Sequence, residues 1–163
     1  MTALPARSVL CLGDSNTHGS VPMRSLNDAQ RWPFAQRWPG VLQHEVGASW
    51  RVVEEGLPGR TLVGPDPVEG ADRHALFYMP ACLQSHRPLD ALVVMLGTND
   101  LKARFQVQAR DLAGGLHALL DTIAQHSHPG APPPRVLVVS PPPVVEVGCL
   151  AAMFSGAASR GAL

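Results

Sequence analysis

Val9-Leu10-Cys11-Leu12-Gly13-Asp14-Ser15-Asn16-Thr17-His18-Gly19 is the stretch that decides the fold. An apolar run ends at a glycine, and an acid, a serine and a small polar turn follow. This order is typical of a buried strand that passes directly into a helix, with the serine exposed at the junction. A serine there is a candidate nucleophile, and its N–H lies near a helix N-terminus, where an oxyanion is stabilised. Gly, Asp and Ser are also ordinary turn residues, and Ser15 could instead cap the helix.

Composition narrows the class of protein. The 163-residue chain carries 13 Lys and Arg against 13 Asp and Glu, so its formal net charge is zero. Without a basic stripe or a polybasic cluster, the chain is not expected to bind nucleic acid or a membrane surface. No apolar run approaches the ~20 residues of a membrane span, and the N-terminus lacks the pattern of a secretory signal. We therefore predict a single cytoplasmic domain over residues 1–163.

The cysteines give no sign of a metal or of a disulfide framework. Cys11, Cys82 and Cys149 are odd in number, and none belongs to a C-x-x-C pair. Zinc sites and disulfide scaffolds usually show paired cysteines at short spacing. The sequence therefore predicts reduced thiols and no bound metal.

Apolar runs alternate with helical patterns along the chain. Strands are predicted at residues 8–12, 50–53, 91–96 and 135–139, and helices near 38–46, 80–86 and 112–123. Residues 56–72 hold too many glycines and prolines for a helix or a central strand, and are predicted to form a long loop. Buried strands that alternate with helices indicate an α/β fold with a doubly wound, flavodoxin-like parallel sheet in three α/β/α layers. Ligands bind such sheets beyond the carboxyl ends of the strands.

Two further glycine-containing turns follow predicted strands. Gly59 lies in Glu55-Gly56-Leu57-Pro58-Gly59-Arg60-Thr61, and Asn99 lies in Met95-Leu96-Gly97-Thr98-Asn99-Asp100. A glycine lets its bare N–H approach a ligand closely, and an asparagine amide is a neutral donor. With the Ser15 N–H, these groups are candidates for an oxyanion hole. The alternatives are a simple Pro-Gly turn for Gly59 and a helix N-cap for Asn99.

In order and spacing, the three turns resemble the first three sequence blocks of the SGNH (GDSL) hydrolases. Further motifs narrow the likeness to the bacterial arylesterase/acyltransferase branch, over about residues 7–148: Glu54-Glu55-Gly56-Leu57, Leu83–Asp90, Val94–Lys102 and Val136–Pro143. The resemblance implies hydrolysis of short-chain aryl or alkyl esters through an acyl-serine at Ser15, with no metal or cofactor. It also implies an oxyanion hole of Ser15, Gly59 and Asn99, acyl transfer to alcohols as a second outcome, and a homo-oligomer.

The chain departs from the family at the general base. The family carries an Asp-x-x-His late in its sequence, and no Asp-x-x-His occurs here. We therefore expect a fold truncated after the fourth strand, with the base and acid of the triad unknown and little activity on aryl acetates. His18 is the obvious substitute base, because it lies three residues after Ser15, although a pocket-lining role suits that position better.

Two other functions remain open for this sequence. Carbohydrate O-acetyl esterases use the same machinery on a different alcohol, which these residues do not define. The missing Asp-x-x-His also fits a non-catalytic remnant that is kept as a binding or oligomeric partner.

Overall fold

A parallel sheet of four strands forms the centre of the fold. The computed structural model describes residues 7–130 and 132–160. The strands are β1 (Arg7–Gly13), β2 (Trp50–Gly56), β3 (Ala91–Met95) and β4 (Arg135–Val138), arranged in the order β2-β1-β3-β4. Gly13 is in register with Gly56 on one side and with Met95 on the other, so three strands end at the same level. The sheet confirms the predicted α/β class and places the turns after these strands at one edge.

Five α-helices flank this sheet among the described residues. They are α1 (Ser15–His18), α2 (Trp38–Val46), α3 (Ala75–His86), α4 (Ala109–Gln125) and α5 (Ala157–Arg160). Pro39 lies in the first turn of α2, and Gly47 ends that helix with a φ of 63°, as the sequence predicts. None of the helices in the described ranges is long and apolar enough to cross a membrane.

The start of α3 differs from the prediction. The helix begins at Ala75 rather than at Pro80, and Pro80 lies inside it. A proline inside a helix removes one backbone hydrogen bond and disfavours the preceding turn. Burial of Ala75 and Met79 in the core compensates for that loss, because both side chains are fully inaccessible to solvent.

The main hydrophobic core lies between the sheet and the pair α3 and α4. It consists of side chains from the sheet, from both helices and from the loop after β2: Leu10, Leu12, Leu62, Ala75, Met79, Cys82, Leu83, Leu92, Val94, Leu96, Leu119 and Ile123. The inward faces of β1 and β3 are therefore buried, and this fixes the height at which their carboxyl ends emerge.

The β4 side of the sheet is less well covered. Leu137 and Val138 remain 59% and 44% exposed, and in the described part of the chain β4 pairs only with β3. An apolar cavity of about 610 Å³ lies beside it, between α4, the ends of β3 and β4, and α5. Exposed apolar surface and an open strand edge both favour association.

Two glycines let α1 rest directly on the edge of the sheet. A Cβ at Gly13 would overlap the Thr17 side chain, and a Cβ at Gly56 would overlap the backbone of Thr17 and His18. Gly115 in α4 serves a similar purpose against Leu62, whereas Gly114 faces open space. The close approach of α1 to β1 and β2 thus depends on residues without side chains.

Gly56→Ala should destabilise the protein by about 1–3 kcal/mol, because the new methyl group forces α1 away from the sheet. Gly114→Ala is the matched control, since its methyl group meets nothing and should stabilise α4 by up to about 1 kcal/mol. Urea unfolding followed by circular dichroism measures both changes. Equal stability of Gly56→Ala and the parent protein would contradict the packing described for α1.

Candidate active site

The turn between β1 and α1 presents Ser15 at the sheet edge. Asp14 is buried, and its Oδ1 accepts hydrogen bonds from the backbone N–H of Asn16 (2.9 Å) and from Asn16 Nδ2 (3.1 Å). Burial raises the pKa of Asp14. Asp14 is thus the N-cap of α1, and the half-buried Ser15 is the first helical residue. The alternative role of Ser15 as the cap is therefore wrong, because its neighbour occupies that position.

Gly59 lies in a tight turn directly after β2. The backbone N–H of Arg60 donates to the Leu57 carbonyl (3.1 Å), Pro58 follows Leu57, and Gly59 has a φ of 81°. Proline in the second position and positive φ in the third define a type II turn, which favours glycine in that third position. The Pro-Gly turn expected from the sequence is therefore present, and it does not conflict with a donor role for the Gly59 N–H.

Asn99 begins a short 3₁₀ turn after β3, and its side chain is buried. Its Nδ2 donates to the Arg60 carbonyl at 3.1 Å. Thr98, not Asn99, precedes the turn as its cap, so the N-cap interpretation of Asn99 is wrong. An amide group carries two N–H bonds, and Arg60 uses one of them. Among the described residues, Arg60 is the one hydrogen-bond acceptor for this amide group.

Arg60 joins the three turns, and sequence reasoning missed it. Its Nη1 donates to the carbonyls of Gly13 (3.0 Å) and Glu55, and its guanidinium lies 4.8 Å from the centre of the Tyr78 ring. The residue is only 3% exposed, and burial lowers the pKa of its guanidinium. A buried arginine is normally paired or hydrogen-bonded, and here backbone carbonyls and an aromatic face take that part. The sequence signal was a lone cation inside the glycine- and proline-rich loop.

The loop that carries Gly59 is also anchored farther along. Asp66 is buried and pairs with Lys102 Nζ (3.4 Å) and with Arg104 Nη2 (2.5 Å). Burial alone would raise the pKa of Asp66, but hydrogen bonds from Arg104 and from the N–H groups of Val68 and Glu69 outweigh it and lower the pKa to about 2. Lys102 and Arg104, which follow Asn99 in the sequence, therefore hold the loop at Asp66 through ion pairs.

His18 lies on α1 and is half-buried. Its carbonyl accepts a hydrogen bond from Arg31 Nε at 2.7 Å. Burial and the positive charge of Arg31 lower the pKa of its imidazole, which favours the neutral form. Within residues 7–130 and 132–160, no side chain forms a hydrogen bond with the Ser15 hydroxyl, His18 included.

One group of side chains has the composition of a metal site. Glu55, Cys82 and His86 place their donor atoms within 4.8 Å of one another. The Glu55 carboxylate already accepts a hydrogen bond from the Tyr78 hydroxyl (2.6 Å) and lies 2.7 Å from His86 Nε2. Burial, with the negative charge of Glu55, raises the pKa of the Cys82 thiol to about 12, which favours its protonated form. The hydrogen bonds that Glu55 on β2 forms with Tyr78 and His86 on α3 explain why these side chains lie together.

Comparisons with known proteins agree with this geometry. The model of the GDSL-like lipase/acylhydrolase family matches residues 11–160. The inhibitor-bound aryl esterase of M. smegmatis is 37% identical, with a TM-score of 0.88 over 96% of this chain and 74% of that one. Est24, a carbohydrate acetylesterase from Sinorhizobium meliloti, is also 37% identical, with a TM-score of 0.87 over 95% of this chain and 74% of that one.

Two further comparisons add less. AlinE4, an SGNH-hydrolase family esterase, shares the fold at 20% identity, with a TM-score of 0.57 over 96% of this chain and 70% of that one. A search of curated proteins gives no match. The extent of the family match and the identity to the two esterases decide the assignment: the chain belongs to the GDSL-like lipase/acylhydrolase family and is an SGNH-type carboxylic ester hydrolase.

Proposed function

We propose that Ser15 is the nucleophile of this esterase and that it forms an acyl-serine with short-chain esters. The observation that carries the proposal is the convergence of three turns: Arg60 bonds to Gly13 beside Ser15, and Asn99 bonds to Arg60 beside Gly59. The hydroxyl of Ser15 and the three proposed N–H donors belong to turns that these contacts join, and this supports the proposal. The family membership supports the same chemistry.

In the proposed reaction, Ser15 Oγ bonds to the ester carbonyl carbon and releases its proton to a base. The carbonyl oxygen becomes an oxyanion, which accepts hydrogen bonds from the N–H groups of Ser15 and Gly59 and from Asn99 Nδ2. The carbon–oxygen bond to the alcohol then breaks, and the alcohol leaves with a proton. Water, or a second alcohol in an acyl transfer, then gives its proton to the base and attacks the acyl carbon. The bond from that carbon to Ser15 Oγ breaks, Oγ takes the proton back, and the carboxylic acid or the new ester leaves.

Among the described residues, no side chain forms a hydrogen bond with the Ser15 hydroxyl through which it could accept the proton. A serine hydroxyl without a base is a weak nucleophile, and removal of the histidine from a serine triad costs about 10⁶-fold in turnover. His18 is neutral and close in sequence, but its ring does not bond to Ser15. We therefore propose that His18 lines the surface on which the ester binds beside Ser15, and that an added base such as imidazole accelerates the reaction of Ser15.

Two classes of ester, which differ in the alcohol that leaves, are candidates for the substrate. The likeness to the M. smegmatis aryl esterase favours aryl and alkyl esters, and the equal identity to a carbohydrate acetylesterase favours O-acetyl sugars. We propose aryl and alkyl esters first, because the sequence motifs resemble the arylesterase branch. Turnover of p-nitrophenyl acetate and of an acetylated xyloside at equal concentration separates the two.

Ser15→Ala should abolish ester cleavage and covalent labelling without unfolding the chain, because it removes only the attacking oxygen. The experiment incubates the protein with a fluorophosphonate, with and without imidazole, and locates the adduct by mass spectrometry. Ser25→Ala, at an exposed loop position, is the control and should label as the parent protein does. After subtraction of the cleavage by imidazole alone, protein-dependent cleavage of p-nitrophenyl acetate that is equal in Ser15→Ala and in the parent would rule out Ser15.

Asn99→Ala should lower kcat by about 10²–10³-fold, because one donor to the oxyanion is lost. KM should change much less, since the charge develops only in the transition state. Asn27→Ala makes the same chemical change at an exposed position and should leave kcat unaltered. A lower stability of Asn99→Ala with unchanged turnover per folded molecule would show that Asn99 serves the fold alone.

We also propose that the protein self-associates through the open side of the sheet at β4. Exposed Leu137 and Val138 and the apolar cavity beside them support this proposal. Light scattering should give a mass above that of one 17.3 kDa chain, and Leu137→Lys should reduce it. A monomer at high concentration, unaffected by the substitution, would contradict it.

A further inference from the structure

The Asp100 carboxylate ties together two turns of the site, and the proposed reaction gives it no part. It is buried, and its Oδ1 and Oδ2 lie 3.0 Å and 2.9 Å from the backbone N–H of Leu62. Oδ1 also accepts the N–H of Val63 at 2.7 Å. Across the described ranges, no Lys, Arg or His approaches this carboxylate within salt-bridge distance. Backbone N–H groups thus hold a buried anion.

The neighbouring residue, Asn99, also forms a hydrogen bond with this loop. Asn99 Nδ2 donates to the Arg60 carbonyl, while Asp100 accepts from Leu62 and Val63. Two consecutive residues after β3 therefore hold residues 60–63, which follow Gly59 directly. Any movement of this segment changes the separation between the Gly59 N–H and the Asn99 amide.

The chemistry of this contact is unusual for a purely structural role. Burial, with the nearby negative charge of Asp14, raises the pKa of Asp100 to about 6, so the carboxylate stays charged near neutral pH at a cost in free energy. A buried ion held without a counter-ion is seldom the most stable choice for a site. Its charged oxygens do, however, accept several N–H groups at once and in fixed directions.

We propose that Asp100 is a positioning residue, whose carboxylate holds residues 60–63 against the β3 turn so that the Gly59 and Asn99 donors face the same point. This inference rests on the proposed function. Asp100 does not touch the substrate; it acts through the loop. Its loss should therefore lower the rate of the chemical step more than it changes substrate binding.

The test compares Asp100→Ala and Asp100→Asn with Asp90→Asn, whose carboxylate also accepts a backbone N–H, that of Ser8, but at the opposite end of the sheet. Amide hydrogen exchange by NMR is the first readout. In Asp100→Ala, exchange at Leu62 and Val63 should rise at least tenfold and the Gly59 resonance should shift, while the amides of β1 and β3 keep their protection. Asp100→Asn, which retains one acceptor oxygen, should fall between Asp100→Ala and the parent protein. Asp90→Asn should leave the Gly59 resonance in place.

Kinetics with p-nitrophenyl acetate and imidazole is the second readout. Asp100→Ala should lower kcat at least tenfold with little change in KM, and Asp90→Asn should not. Unchanged exchange at Leu62 and Val63, a uniform loss of protection over the whole sheet, or a shifted Gly59 with unchanged kcat would each overturn the inference. Turnover above the rate of imidazole alone that persists in Ser15→Ala marks failure of the proposed function instead, and the amide measurements then decide alone whether Asp100 holds the loop.

Discussion

The buried guanidinium of Arg60 is the interaction on which the rest of the site depends. The guanidinium donates to the carbonyls of Gly13 and Glu55, at the ends of β1 and β2. The backbone carbonyl of Arg60 accepts a hydrogen bond from Asn99, which follows β3. One residue thus sets the relative positions of three turns that are far apart in sequence. This is possible because β1, β2 and β3 end in register and because α1 lies directly on Gly13 and Gly56.

The site is built from buried polar groups rather than from apolar packing. Asp14, Arg60, Asn99 and Asp100 are each at most 6% exposed, and within the described residues Asp14 Oδ2 and Arg60 Nε have no hydrogen-bond partner. Burial of such groups lowers the stability of the fold relative to apolar side chains of similar volume. Their value lies in rigidity, since donors that are oriented before the reaction stabilise an oxyanion without reorganisation. Unpaired buried atoms are also expected most often at functional sites.

Local patterns predicted the strands, α2, α4 and the long loop well, because each depends on its own apolar spacing and on its own glycines and prolines. The start of α3 was wrong, because burial of Ala75 and Met79 outweighs the effect of Pro80, and burial is not local information. The position of Ser15, Gly59 and Asn99 at one edge of the sheet was predictable, because each follows a strand in the sequence. Arg60 and Asp100 were missed, because their roles consist of contacts with residues about 40 positions away.

The central claim is that the three turns act on one oxyanion. The most direct measurement is a crystal structure of the protein after reaction with a small fluorophosphonate, whose phosphoryl oxygen stands in for the oxyanion. The account predicts phosphorus bonded to Ser15 Oγ, with that oxygen about 2.7–3.1 Å from the N–H groups of Ser15 and Gly59 and from Asn99 Nδ2. An adduct on another residue, or a phosphoryl oxygen that points away from Gly59 and Asn99, would contradict it.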